Sequence, residues 1–341
     1  MNSIGRWMRR AAQGGAALLA LVLLASCGGG TEAITPYNPT RLLILGDEMS
    51  VMTKDGVKGR KYSVNAVGAD QVSLDCVLFP LWHQVVAYTW GFAYEECNPG
   101  NQAVTAARIY AVPGAKVDDL PQQLEAARLV NGSFSKTDLF MVLVGQNDVV
   151  DLYENVYRPD PTPANYNAVI AELQARGVRL AAFVNRLSRA DVGDLNGPKV
   201  IISTIPLLNL TPYARAQAAA YPGINVWNTL LAFSQALNTA MRAGDGTDGN
   251  RGIVNDGRFL GLVELDSLLN AGYNNPENYG LYNTLYPVCV ATLPDCWNVP
   301  ADLAPGGNAV TWMWASDLWM GTTAQVSLGN FARGRALGNP F

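Results

Sequence analysis

The sequence predicts an α/β fold, a three-layer α/β/α sandwich built on a mostly parallel sheet. Three short apolar runs have the composition of strands covered on both faces: RLLILG (41–46), DLFMVLVG (138–145) and KVIISTIP (199–206). Amphipathic stretches separate these runs, and strands that alternate with helices indicate one open parallel sheet with helices on both faces. The 341 residues, 49% of them hydrophobic, suffice for one large domain of this kind or for two small ones.

The first 26 residues predict a cleaved signal peptide. Three arginines among the first ten residues form a positive region, and the apolar run AALLALVLLA (16–25) is shorter than the ~20 residues of a bilayer-spanning helix. LASC (24–27) and the glycines after it resemble the lipobox of bacterial lipoproteins. This resemblance implies cleavage before Cys27 and acylation of its thiol. An ordinary signal peptide followed by a chance cysteine is the alternative.

A lipid anchor at Cys27 would attach the protein to a bacterial membrane through a tether formed by residues 27–40. GGGTEAITPYNPT (28–40) has the Gly, Pro and Thr content of such a tether. Because Gly28 rather than an aspartate follows the cysteine, the similarity to lipoproteins favours the outer membrane, where several acyl chains anchor a protein without a transmembrane helix. We therefore expect one exported, lipid-anchored domain over residues 41–341.

Charge and cysteine content restrict the partners. The net charge is −4, and it becomes −7 once the leader, which carries three arginines and no acidic residue, is removed. No basic run follows the leader, which argues against nucleic acid as a partner. Four of the five cysteines remain, and an even number in an exported protein predicts two disulfides with three possible pairings. Proximity in the sequence favours Cys76–Cys97 and Cys289–Cys296.

The other elements follow from periodicity. Residues 52–79 are polar and irregular, which predicts loops. Residues 107–130 predict a short strand, a turn at 113–114 and an amphipathic helix, and residues 252–266 predict a further strand or a hairpin. Apolar residues at helical spacing predict three more helices, at 81–92, 164–190 and 225–244.

Polar turns follow two of the predicted strands. Gly46, Asp47 and Glu48 end the first apolar run, and GQND (145–148) ends the second. In an open parallel sheet, ligands bind beyond the carboxyl ends of the strands. We therefore expect these two turns to lie together and to form the functional site.

Four short motifs follow one another along this pattern: GDEMS (46–50), VPGA (112–115), GQND (145–148) and SDLWMGTTAQ (316–325). In this order they resemble the GDSL or SGNH hydrolases, and in particular the secreted bacterial esterases and lysophospholipases of that family. The resemblance extends over residues 41–341 and implies an SGNH-type, flavodoxin-like fold. In active members, a serine after Gly-Asp attacks an ester carbonyl, and its backbone N–H, a glycine N–H and an asparagine side chain form the oxyanion hole.

The resemblance assigns these roles to positions of this chain. The glycine and the asparagine of the oxyanion hole correspond to Gly114 and Asn147, and the nucleophile position holds Glu48. A carboxylate has no hydroxyl to be deprotonated, and it repels the negative charge that an ester carbonyl develops on attack. Ser50, the nearest hydroxyl, lies two residues on, and we expect its side chain to point elsewhere.

The family's late Asp-x-x-His corresponds to Asp317 and Met320, or to Ser316 and Trp319 if the register slides by one residue. We prefer the first register because it keeps the aspartate. Neither methionine nor tryptophan can act as a base near neutral pH. The chain's single histidine, His83, lies in a predicted helix, where we expect it on the helix surface rather than in the site.

Three functional hypotheses follow. The first is a degenerate member, a pseudo-esterase that binds ester-bearing lipid or glycan ligands without serine-esterase turnover. The second is an active ester hydrolase in which Glu48 and Asp317 act as paired carboxylates. The third is a structural envelope lipoprotein whose pocket is filled by Met320 and Trp319. No cofactor is expected, and a single histidine with paired cysteines argues against a metal site.

Overall fold

Strands and helices alternate along the chain in a computed structural model that describes residues 36–55, 58–70, 73–247, 251–338 and 341. The strands are β1 (Arg41–Gly46), β2 (Met52–Asp55), β3 (Lys58–Lys61), β4 (Ala66–Val67), β5 (Leu74–Asp75), β6 (Ala107–Ile109), β7 (Asp138–Leu143), β8 (Lys199–Ser203), β9 (Leu260–Val263), β10 (Asn283–Pro287) and β11 (Trp312–Trp314). The helices are α1 (Trp82–Tyr88), α2 (Leu120–Asn131), α3 (Gln146–Leu152), α4 (Pro163–Leu187), α5 (Pro212–Ala220), α6 (Val226–Ala243), α7 (Leu265–Asn274) and α8 (Thr322–Ala336).

The predicted signal peptide and Cys27 lie outside the described residues. The described residues from Tyr37 to Gly338, together with Phe341, form one compact unit. Among the described helices, none combines the length and the apolar character needed to cross a membrane.

Five parallel strands form the central sheet, in the spatial order β6, β1, β7, β8, β9. The first strand of the sheet thus lies between the second and the third, which is the flavodoxin-like, doubly wound order. The predicted α/β fold with a mostly parallel sheet is confirmed. The chain adds β6 on one side of β1 and then crosses to the other side to add β7, β8 and β9. In open α/β sheets, ligands bind in the crevice at such a switch point.

Alternate residues of β1 face two different cores, as the pleat of a strand requires. Leu42 and Ile44 pack in one cluster, which also contains residues of α1, α7 and α8. Leu43 and Leu45 pack in another cluster, which contains residues of α2, α4 and α6. All four side chains are fully buried, so helices cover both faces of the sheet and three layers result.

Small sheets and disulfides complete the unit. Strands β2 and β3 pair as an antiparallel hairpin, and β4 pairs with β5, so the expectation of loops over residues 52–79 is wrong there. These strands have no alternating apolar pattern, and their pairing rests on backbone hydrogen bonds. Disulfides join Cys76 to Cys97 and Cys289 to Cys296, as proximity predicted. Residues 252–266 contribute a single strand, β9, and then the start of α7.

The end of β1 is held by a side chain of α2. Gln123 accepts a hydrogen bond from the backbone N–H of Gly46 and donates one to the Gly46 carbonyl, both at 2.8 Å. Gly46 has a φ of +140°, and a Cβ added there would lie 2.0 Å from the Leu143 carbonyl oxygen of β7. Only glycine therefore fits at this close approach of two strands.

We predict that Gly46→Ala lowers the free energy of unfolding by more than about 2 kcal/mol, because the methyl group collides with rigid backbone. Urea unfolding of the purified protein measures this. Gly280→Ala is the matched control, since Gly280 also has a positive φ (+66°) but has open space around its Cβ position. That variant should lose only about 1 kcal/mol. Equal losses in the two variants would contradict the steric explanation.

Candidate functional site

The carboxylate of Glu48 lies between the two donors that correspond to the family's oxyanion hole. The backbone N–H of Gly114 donates to Glu48 Oε1 at 2.8 Å, and the Asn147 side chain donates through Nδ2 to Glu48 Oε2 at 2.9 Å. Both carboxylate oxygens thus accept a hydrogen bond from this pair. Glu48 is partly exposed. The site therefore presents a fixed, solvent-accessible anion.

The sheet order brings these three residues together. Glu48 begins a short 3-10 turn directly after β1, Asn147 lies in the first turn of α3 after β7, and Gly114 lies in the segment after β6. β6 and β7 are the two neighbours of β1, and all three strands are parallel. Their carboxyl ends consequently meet at one edge, as expected from the polar turns.

Buried polar contacts hold the segment that carries Gly114. Asp148 is fully buried, and its carboxylate accepts from the Val117 backbone N–H at 3.0 Å and from Arg176 Nη1 at 2.8 Å. Asn147 Nδ2 also donates to the Ala115 carbonyl at 3.1 Å. These bonds fix the positions of both donors to Glu48 independently of any ligand.

A second carboxyl group lies beneath Glu48. Asp47 is fully buried, its Oδ1 accepts from the Met49 N–H at 3.0 Å, and its Oδ2 has no partner. Burial raises the pKa of Asp47 well above its usual range, and the charge of Glu48 raises this pKa further. The neutral acid form of Asp47 is thus favoured next to Glu48.

The C-terminal segment borders the site without supplying a base. Asp317 is exposed, and its carboxylate makes no hydrogen bond or ion pair within the described residues. Gln146 Nε2 donates to the Leu318 carbonyl at 3.0 Å, which fixes this segment beside α3. Met320 is fully buried in the core, and Trp319 packs partly buried against the same cluster. The alternative register places Ser316 and Trp319 at these positions, so neither register contains an imidazole.

His83 is buried rather than on the helix surface, so that expectation is wrong. Its Nε2 lies 3.2 Å from the Ser50 carbonyl oxygen, and its Nδ1 lies 2.7 Å from the Tyr94 hydroxyl. Burial lowers the pKa of His83 to about 3. The Ser50 hydroxyl is buried too, and it accepts from Trp82 Nε1 at 3.0 Å. The single imidazole of the chain is therefore neutral, and each of its two ring nitrogens has a hydrogen-bond partner in the core.

A cavity of about 320 Å³ adjoins the Gly114 segment. It opens between that segment and α2, and its lining is mainly apolar, with several polar groups. The residues that line it include Tyr110, Val112, Gly114, Asp119, Gln122 and Ala126. Within the part of the chain that the structure describes, no group of three or more His, Cys, Asp or Glu side chains is arranged to hold a metal ion.

Two supporting residues were not expected from the sequence. Gln123 and Arg176 hold the strand end and Asp148, respectively. Gln123 lies three residues after Leu120 and four before Ala127, both of which are buried. A polar residue on the apolar face of a predicted helix was therefore the available signal. Arg176 lies on α4, distant in sequence from the turns, and no local pattern marks it.

We predict that Glu48→Ala opens a binding site for a small carboxylate, because the Gly114 and Asn147 donors are left without their acceptor. Acetate should then raise the melting temperature of Glu48→Ala relative to chloride at equal ionic strength and pH. Acetate at ten times its Kd would stabilise the variant by about 1.4 kcal/mol. Asp317→Ala, which removes an exposed carboxylate that does not bond to these donors, is the control, and acetate should not raise its melting temperature. If acetate raised the melting temperature of the wild type equally, Glu48 would not be occupying the Gly114 and Asn147 donors.

The burial of His83 predicts acid sensitivity. Because the folded-state pKa of about 3 lies below the usual 6.5, its contribution to stability is complete above pH 6.5 and is lost as the pH falls towards 3. The slope reaches about 1.4 kcal/mol per pH unit. The difference in unfolding free energy between wild type and His83→Gln, measured over this range, isolates the effect. An NMR titration of the single imidazole with a midpoint near 6.5 would contradict it.

Three comparisons relate the chain to known proteins. The family model for GDSL-like lipase/acylhydrolase matches residues 80–253. A search of curated proteins returns no match. Among solved structures, Axe2, an acetylxylan esterase from Geobacillus stearothermophilus, is 14% identical with a TM-score of 0.41, over 89% of this chain and 96% of that chain. A variant of Axe2, described as an acetyl-xylooligosaccharide esterase, is 13% identical with a TM-score of 0.42, over 88% and 95%.

The family match covers the segment from α1 to the residues after α6, including Gly114 and Asn147. It therefore contains two of the three strand ends that form the site, and it spans just over half of the chain. The chain belongs to the GDSL-like lipase/acylhydrolase family.

Proposed function

We propose that this protein is a non-hydrolytic, lipid-anchored member of its family that binds ester-bearing lipid or glycan ligands in the bacterial envelope. The observation that supports this most directly is the position of the Glu48 carboxylate, which accepts from both Gly114 and Asn147. The outer-membrane location rests on the lipobox-like LASC at residues 24–27.

Acyl transfer by the family's mechanism needs three things at this edge of the sheet. It needs a nucleophilic hydroxyl, an imidazole within reach, and free donors for the oxyanion. Glu48 replaces the hydroxyl and occupies two of the donors, the Gly114 N–H and the Asn147 side chain. His83, the single histidine, is buried against Ser50 and Tyr94. Each requirement is unmet, and the loss of one alone reduces such catalysis by several orders of magnitude.

The same geometry suits ligand binding. A carboxylate that is fixed by two hydrogen bonds and partly exposed can accept further hydrogen bonds from ligand hydroxyls. The adjoining cavity of about 320 Å³ offers mainly apolar walls for an acyl group. Together they match a ligand with hydroxyl groups on one side and an ester-linked apolar group on the other.

An active hydrolase is the second candidate, and the adjacent carboxyl groups of Asp47 and Glu48 favour it. Burial raises the pKa of Asp47 well above its usual range, and a carboxyl group with a raised pKa beside a second carboxyl group is a pattern of acid/base pairs. However, Asp47 is fully buried, and the Asp317 carboxylate makes no contact with Glu48 within hydrogen-bond distance.

A structural lipoprotein is the third candidate. The buried side chain of Met320, at the position that corresponds to the family's histidine, favours it.

We expect the wild type to give no fluorophosphonate labelling and no p-nitrophenyl acetate hydrolysis above buffer. In isothermal titration calorimetry it should bind one of two probes, an acetylated xylo-oligosaccharide or monomeric monohexanoylglycerol, each of which carries hydroxyl groups beside an ester. Val112→Trp, placed where the side chain lines the cavity, should weaken that binding at least about tenfold by filling the space. Val104→Trp introduces the same ring at an exposed position outside the cavity and serves as the control.

The alternatives give different results. Hydrolysis that disappears in Glu48→Gln would establish the carboxylate mechanism and refute the non-hydrolytic proposal. Absence of both hydrolysis and binding would favour the structural role. Equal weakening of binding by Val112→Trp and Val104→Trp would place the ligand elsewhere.

A further inference from the structure

A second cleft lies at the opposite, amino edge of the sheet. α2 ends shortly before β7 begins, and α4 ends before β8 begins, so the segments that follow these helices lie at this edge. A cleft of about 710 Å³ opens between them. The crevice at Glu48 lies at the carboxyl edge, so the two are separated by the length of the strands.

The cleft has an apolar floor. Phe183 and Leu187 of α4 are nearly buried there, and Phe134 is half-buried. Four further large hydrophobic side chains, in α2 and in the segment after α4, are exposed without lining the cleft, and clustered exposed apolar surface is typical of interaction sites. They are Leu129 (79% exposed), Val130 (60%), Val192 (73%) and Leu195 (64%).

The rim of the cleft is cationic. Arg128, Arg186 and Arg189 line it, and its lining contains no Asp or Glu. Arg189 pairs with Asp194 at 2.6 Å, and Arg128 lies 3.9 Å from Glu125. Arg186 is exposed, and in the described part of the chain its side chain forms neither an ion pair nor a hydrogen bond. An apolar floor with an unneutralised arginine at its rim fits an anionic amphiphile.

The chain enters the folded unit beside this cleft. The Tyr37 hydroxyl donates to the Asp138 carbonyl at 2.9 Å, and Arg41 donates to the carbonyl of Ser133 at 3.1 Å. Ser133 itself lines the cleft. Tyr37 lies ten residues after Cys27, and an extended chain spans at most about 36 Å over that distance. A lipid anchor at Cys27 would thus keep this edge close to the membrane.

We propose that this cleft docks the domain on the surface of an anionic phospholipid bilayer. Arg186 binds headgroup phosphates there, and the exposed apolar side chains reach the acyl boundary. The charge of −7 for the chain without its leader repels an anionic surface, so the basic rim selects which face approaches. The choice of a bilayer, rather than a free amphiphile, rests on the lipid anchor included in the proposed function.

The test uses the unacylated chain from Gly28 to Phe341, whose cores and disulfides all lie in the compact unit that begins at Tyr37. Co-sedimentation should show binding to vesicles of phosphatidylcholine mixed with phosphatidylglycerol and much weaker binding to phosphatidylcholine alone. Arg186→Ala should weaken binding to the mixed vesicles about fivefold, as expected for one cation near such a surface. Since the test needs neither acylation nor ligand binding at Glu48, its failure leaves the proposed function untouched.

Arg215→Ala is the matched control. Arg215 lies on α5, and its guanidinium lies over the rings of Trp227 and Tyr286. Near the start of α5, the Tyr213 N–H donates to the Asp317 carbonyl, which places this helix near the carboxyl edge. It should leave vesicle binding unchanged. Equal binding to neutral vesicles, or equal losses in the two variants, would overturn the proposal. Binding of monomeric dihexanoyl phosphatidylglycerol without vesicle binding would overturn it as well, because the occupant would then be a free amphiphile.

Discussion

The bridge from Glu48 to Gly114 and Asn147 is the interaction on which the site depends. It joins the ends of three neighbouring strands, and it gives the two donors a charged acceptor, which makes hydrogen bonds stronger than neutral ones. Without an acceptor, donors placed at a strand end would have to be satisfied by water or a ligand. The contacts of Asp148 and Gln123 hold the turns in place, and Glu48 closes the gap between them.

The parallel topology assigns different tasks to the two edges of the sheet. The carboxyl edge carries the fixed anion and the cavity beside Gly114. The amino edge carries the start of β1 and the arginine-lined cleft. If the amino edge contacts a membrane, the Glu48 site faces away from it, and its ligands reach it from the aqueous side. Such ligands would be soluble or extended from the surface rather than embedded in the bilayer below.

The sequence predicted the parts of the fold that depend on side-chain burial. RLLILG and DLFMVL are strands because both faces are covered, and nearness in sequence sufficed for the disulfides. The motif order led to the family. It missed the hairpin of β2 and β3, because these strands lack an alternating apolar pattern. It also missed two contacts between residues distant in sequence, the burial of His83 against Ser50 and the clamp of Gln123 on Gly46. The motifs predicted Glu48, Gly114 and Asn147 as site positions, and the hydrogen bonds between these residues are visible only in the folded geometry.

A carboxylate at this position does more than remove a nucleophile, because it reverses the polarity of the site. In the family's acyl transfer, the Gly114 and Asn147 positions donate and the substrate carbonyl accepts. Here those donors are already occupied, and what faces solvent is the partly exposed carboxylate of Glu48, which can only accept while ionised. A ligand that fits this edge must therefore bring donors, as hydroxyl-rich glycans do, and an anionic ligand would be repelled. A glutamate in place of the family's serine therefore supports the proposed recognition of hydroxyl groups rather than the stabilisation of an oxyanion.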